Sequence, residues 1–226
     1  MNFFKSNFIF LILLYPILSF AQISTTTPEG SPISFQTVSG QYKDVPAEGS
    51  PFISENFENG EIYVNEELKL KNKLRYNAYR NEIQILQADE TFNVLLKRSY
   101  MSAKIEDRTY KLFLYMDNKN REKTGYFNPL NEGQLVLLFK PEIILKQSKE
   151  PETGYDKYRA AKYIENNSYY IKNGSENAYE IRLSKRSIFK IAKKNREEMN
   201  SFVKENNLNL RKIDDVIFLL NYYNTL

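Results

Sequence analysis

Ser187-Ile188-Phe189-Lys190 has the spacing S-x-x-K, which puts a lysine amine about one helical turn from a serine hydroxyl, where it could serve as base to a nucleophile. Lys123-Thr124-Gly125 reads K-T-G, and Ser175-Glu176-Asn177 approximates the third motif of such a serine acyl-transfer site. The order is against that chemistry. In sites of this kind S-x-x-K comes first and K-T-G last, whereas here K-T-G precedes Ser187 by more than sixty residues. The second chemistry open to the chain is glycoside hydrolysis, which needs two positioned carboxyls. Glu82, Glu180, Asp214 and Asp215 are available for it, but no spacing sets them apart from other surface acids.

Other chemistries are closed by composition. The 226 residues contain no Cys, no His and no Trp. Disulfides, thiolate metal sites, cysteine nucleophiles and imidazole bases are therefore excluded, and with them a Ser-His-Asp triad or a His-ligated zinc. Asp117-Asn118-Lys119-Asn120-Arg121 starts like a calcium loop, but Glu122 replaces the required Gly, and Lys119 and Arg121 stand where acids are needed. A hairpin turn explains this segment better. Eight scattered Gly form no phosphate-cradling loop, and no cofactor is implied.

Charge is distributed more informatively. Formal net charge is +4, yet residues 22–67 hold one Lys and eight acids, whereas residues 185–212 hold nine Lys or Arg and three Glu. Lys190, Lys193, Lys194 and Arg196 form the densest part of the basic run and are the expected contacts for an anionic partner. A solvated outer helix face is the competing reading, because Lys185, Arg186, Lys190, Lys193 and Lys194 lie largely off the apolar stripe. Seventeen Tyr could stack on sugars, but Tyr is also a common half-buried sheet residue, and Tyr169-Tyr170 and Tyr222-Tyr223 read as structural.

These residues must be positioned by a β-rich fold. Between 51 and 183 apolar residues recur with period two: Leu74, Tyr76 and Ala78, then Ile83 and Ile85, then Tyr110, Leu112, Leu114 and Met116. Asn59-Gly60, Arg80-Asn81 and Asp117 to Asn120 read as turns, and Leu135 to Phe139 as a strand buried on both faces. The clearest hairpin runs from Tyr169 through Asn173-Gly174 to Tyr179, Ile181 and Leu183. Residues 146–162 read as a long loop. From 184 the period changes. Ile188, Ile191, Ala192, Met199, Phe202 and Val203 fall on one helical face behind Ser184 as N-cap, with Asn206-Asn207 as its left-handed end. Ile213, Val216, Ile217 and Leu220 mark a second helix that opens on Asp214 and Asp215.

Residues 1–21 read as a secretory signal peptide. Lys5 is the positive n-region, Phe8 to Phe20 the apolar h-region, and Ser19 and Ala21 the small residues before a cut at Gln22. The h-region is too short to span a bilayer, and no later stretch is long and apolar enough to do so. Residues 22–50, rich in Ser, Thr, Pro and Gly, read as a flexible lead with one strand near Ile33–Val38. A 205-residue exported domain can bury an adequate core without disulfides.

Ser50-Pro51-Phe52 before Asn59-Gly60, Leu74-Arg75-Tyr76-Asn77 before Glu82-Ile83, Tyr126-Phe127 with Gly133 and Leu137-Leu138, the Tyr169-Tyr170-Ile171 hairpin and Tyr222-Tyr223-Asn224 together carry a resemblance. The chain resembles a family of uncharacterised exported proteins of Bacteroidota, over about 175 residues; the leader ending Phe20-Ala21-Gln22 is similar to leaders of that phylum. The resemblance implies an address and no activity. Helices after the β region are unlike the β-domain that usually ends surface-secreted proteins there, which favours the periplasm.

The sequence therefore predicts an α+β chain: a signal peptide (1–21), a lead (22–50), a predominantly antiparallel β domain (51–183; sandwich or partly open barrel) and a C-terminal helical hairpin (184–226) packed on it. The expected role is non-enzymatic, binding or scaffolding an envelope protein, glycan or anionic lipid headgroup. An acid-pair hydrolase acting on an envelope polysaccharide is the competing class. Nucleic acid is not expected as a partner.

Overall fold

The computed structural model describes residues 25–26, 32–33 and 37–39 as backbone, and 46–151, 157–192 and 194–226 in full. The expected leader, most of the expected lead, and Lys193 lie outside the described residues.

The sheet is laid down almost entirely by hairpins. Strands β1 (Thr25–Thr26) and β2 (Pro32–Ile33) pair with each other, and β3 (Thr37–Ser39) joins the edge of the main sheet. The main body begins with β4 (Glu58–Val64), β5 (Glu67–Asn77), β6 (Glu82–Leu86) and β7 (Phe92–Leu95). It continues with β8 (Met101–Ile105), β9 (Arg108–Met116), β10 (Glu122–Pro129) and β11 (Leu135–Lys140). A separate hairpin, β12 (Ile143–Lys146) with β13 (Lys162–Glu165), frames the expected loop, and β14 (Ser168–Asn173) and β15 (Ala178–Ile181) complete the β region. The main sheet runs β10-β11-β14-β15-β9-β8-β4-β5-β6-β7-β3, and β10 also pairs with β9. That second pairing bends one end of the sheet into a five-stranded barrel of β9, β10, β11, β14 and β15. The barrel is only partly closed, because the parallel β15–β9 seam holds two residue pairs. Of the two expected forms, the partly open barrel is the one adopted.

Three cores result. Ile62, Leu74, Tyr76, Ile83, Ala103 and Tyr110 fill the curved inner face of the sheet. Tyr115, Phe127, Leu138, Tyr170 and Ala178 fill the barrel, with Phe127 and Tyr170 rings edge to face at 5.1 Å. Leu135, Leu137 and Ile171 point outward from the barrel wall to meet the helices. β9 serves two cores: Tyr110 and Leu112 face the first, and Tyr115 the second, which is why both of its faces read as apolar. Arg75 lies between the rings of Phe52, at 3.7 Å, and Phe57, at 4.2 Å, clamping residues 52–57 to the sheet.

Asn59-Gly60 is not a turn. Gly60 lies buried inside β4, where a Cβ would stand 2.5 Å from Leu74 Cδ1; glycine is needed there for close approach. The β4–β5 turn is Asn65-Glu66, with φ of 50° and 67°, the left-handed pair that a two-residue hairpin favours. The Asn81, Asn120 and Gly174 turns fall where expected, each with positive φ.

The C-terminal region holds three helices, where a hairpin of two was expected: α1 (Lys185–Ile191), α2 (Arg196–Glu205) and α3 (Ile213–Tyr223). Ser184 caps α1 by accepting from Ser187 N, and Asn207 takes the left-handed conformation after α2. The helix expected across 184–205 breaks at Ala192–Asn195, where Ala192 leaves helical geometry and Asn195 adopts φ 52°. Ile188 and Met199 are eleven residues apart, about three full turns, so the apolar stripe stays in phase across the break and conceals it. A seven-residue helix is marginal alone; burying Ile188 and Phe189, at about 2 kcal/mol each, holds α1 in place.

Candidate functional site

α1 and the end of α3 lie beside the β14–β15 hairpin and leave a groove of about 970 Å³ between them. Tyr179 and Ile181 from β15, Ile191 from α1 and Tyr223 from α3 give it apolar surface. Arg182, Lys190 and Lys194 bring three cations, and Glu176 and Glu180 two carboxylates. Among the described residues none of these five forms an ion pair or a side-chain hydrogen bond, as is also true of exposed lysines elsewhere such as Lys73 and Lys111; what sets the five apart is their convergence on one groove.

Local structure fixes the walls. Asn224 accepts from Leu135 N at 2.8 Å and donates to Glu132 O and Leu135 O, pinning the end of α3 to the start of β11. Gln134 donates to Asn173 at 3.0 Å across the β11–β14 end. Behind β15, burial and then the Glu180 carboxylate hold the Tyr170 phenol well above its ordinary value, so it remains a neutral wall of the barrel.

The expected contact residues divide. Lys190 and Lys194 are exposed and line the groove. Arg196 instead donates to Phe189 O at 2.7 Å, satisfying a carbonyl of α1's last turn, so it holds the α1–α2 junction. Three residues were missed as site residues. Tyr179 reads by alternation as a sheet residue like Ile181, but it is 48% exposed. Arg182 and Glu176 have no local signal, because only the pairing of β15 beside α1 brings them to Lys190.

Ser187, Lys190 and Glu176 line the groove together, and Asn177 donates to the Glu122 carboxylate at 2.7 Å beside Lys123, but the hydroxyl and the K-T-G lysine are engaged elsewhere. Ser187 Oγ accepts from Ser184 Oγ at 2.9 Å within the α1 cap, whereas Lys123 is ion-paired with Asp117 on the β9–β10 hairpin. Of the four carboxylates considered for hydrolysis, Glu180 alone lines the groove; Asp215 accepts from Asn209 N at 2.7 Å before α3. The carboxyls held below their ordinary range, at Glu61, Glu67, Asp89 and Asp117, all lie outside the groove. Asp117 organises its turn: Oδ1 accepts from Lys119 N and Arg121 N, and Oδ2 from the Arg121 side chain. Among the described residues no group of three or more acids is placed to hold a metal, and no helix is long and apolar enough to cross a membrane.

Compared with known proteins, the chain matches no family model, no curated protein and no solved structure.

Proposed function

We propose that the chain is an exported, periplasmic, non-enzymatic binding module that holds an envelope component in the groove between β15 and α1. The observation that carries this reading is the set of unpaired charges, Arg182, Lys190, Lys194, Glu176 and Glu180, around a concavity that also exposes tyrosine. Charges that stabilise a fold are paired or hydrogen-bonded, as Lys140 and Arg75 are here. Charges left unpaired around a groove remain available to a ligand, and apolar surface with a few convergent polar groups is the usual make-up of a binding site. The leader pattern of residues 1–21 and the resemblance to exported proteins of Bacteroidota support the address.

The test is association with the envelope fraction. Combined Arg182→Glu, Lys190→Glu and Lys194→Glu should lower the bound fraction at least tenfold, with Lys71→Glu and Lys73→Glu on β5, outside the groove, as the control. Unchanged association of a folded triple variant would overturn the reading.

A further inference from the structure

Tyr179, Glu180, Ile181 and Arg182 all line the groove. Successive side chains of an extended strand point to opposite faces, so a cavity that meets the strand residues Tyr179, Glu180 and Ile181 in a row meets β15 along its edge. The ladders leave that edge open. β15 pairs with β14 as far as Ile181↔Tyr169, but with β9 only through Ala178↔Tyr115 and Tyr179↔Met116. β9 ends at Met116, and Asp117 N bonds to Arg121 O as the chain turns away. Beyond Tyr179, among the described residues, the last two residues of β15, Glu180 and Ile181, therefore have a strand on one side and none on the other; Arg182 and Leu183 then lead outside the ladder to the α1 cap at Ser184.

We infer that the occupant of the groove is an extended peptide segment of another exported protein, added as a strand to the free edge of β15 and lying between that edge and α1. The inference rests on the binding-module reading and names its partner class. The free edge of β15 spans Glu180 and Ile181, about 7 Å, so a short ladder of about two residues fits it, with Arg182 and Leu183 beyond. Backbone hydrogen bonds would supply affinity, and alternate side chains specificity. Ile181, Ile191 and Tyr223 offer apolar contact to one set of side chains. Arg182, Lys190 and Lys194 offer charge to the other set, which selects acids. Glu176 and Glu180 disfavour a uniformly acidic segment, so alternation of apolar and acidic residues is the recognised pattern.

The experiment is selection of a displayed library of random octapeptides on the purified full chain, followed by hydrogen exchange with the winning peptide. The expected winners alternate apolar and acidic residues and slow amide exchange within 179–183. Methylating alternate peptide nitrogens to remove one ladder edge should weaken binding at least tenfold, and the Lys190→Glu, Lys194→Glu variant should weaken it comparably. Winners that protect other strands, or that tolerate methylation of either set of nitrogens, would overturn strand addition. So would a library that yields no winner. If the library fails while charge reversal still releases the chain from the envelope, the peptide inference falls and the binding-module reading stands; if neither responds, both fall.

Discussion

Arg196 reaches back across the α1–α2 junction and donates to the Phe189 carbonyl at 2.7 Å. One residue of the basic run is thus part of the fold, whereas Lys190 and Lys194 face the groove unpaired.

That division is testable by stability. Arg196→Ala should cost about 1.5 to 3 kcal/mol in urea unfolding, the range for a hydrogen bond from a charged donor. Lys190→Ala and Lys194→Ala should stay within about 0.5 kcal/mol of the parent, as exposed unpaired residues do. Equal costs at all three positions would remove the distinction.

Gly60 tests the close approach of β4 to β5. A Cβ there would stand 2.5 Å from Leu74 Cδ1 and 2.9 Å from Lys104 O, and a carbonyl oxygen of the neighbouring strand cannot move aside. Gly60→Ala should therefore destabilise by about 2 to 3 kcal/mol by overpacking. Adding Leu74→Ala should not restore stability, since the Lys104 clash remains.

Two buried tyrosines should respond with opposite sign to loss of the hydroxyl. The Tyr126 hydroxyl is buried with no hydrogen-bond partner among the described residues, whereas Tyr76 donates to Asn81 Oδ1 at 3.0 Å. Tyr126→Phe should be neutral or stabilise by about 1 kcal/mol, and Tyr76→Phe should cost about 1 kcal/mol, in thermal or urea unfolding. A clear loss from Tyr126→Phe would show that its hydroxyl is bonded.

Asp117 sets a pH dependence. The Arg121 backbone N–H first, then the Arg121 and Lys123 side chains and the Lys119 N–H, hold its carboxyl well below the usual range. Because the folded form binds the proton less readily than the unfolded chain, this contribution is complete above about pH 4 and is lost as pH falls further. The parent should lose stability in that acid window faster than Asp117→Asn. Parallel curves for the two proteins would contradict the assignment.

Much of this fold is legible in the sequence because its signals are local. Alternation places Leu74, Tyr76, Ile83 and Ile85 in the inner core, and Asn or Gly supplies positive φ at Asn81, Asn120 and Gly174. Gly60 misleads because the same residue serves a turn or a crowded strand, and only the position of Leu74 on the neighbouring strand decides which. The barrel closure is invisible for a related reason: it depends on β10 pairing both with β9 beside it and with β11. The groove is half legible. Lys190 and Lys194 stand out as basic residues off an apolar stripe, but Arg182 and Tyr179 join them only through the placement of β15 beside α1.

The central claim, that the groove between β15 and α1 is the occupied surface, is tested most directly by photocrosslinking in intact exporting cells. Tyr179 and Tyr100 are each 48% exposed, the first in the groove and the second in the turn before β8. A photoreactive residue at 179 should give a discrete adduct, lost when Lys190 and Lys194 are reversed to Glu, and the same residue at 100 should give none. Equal adducts from both positions, or an adduct from 100 alone, would contradict the account.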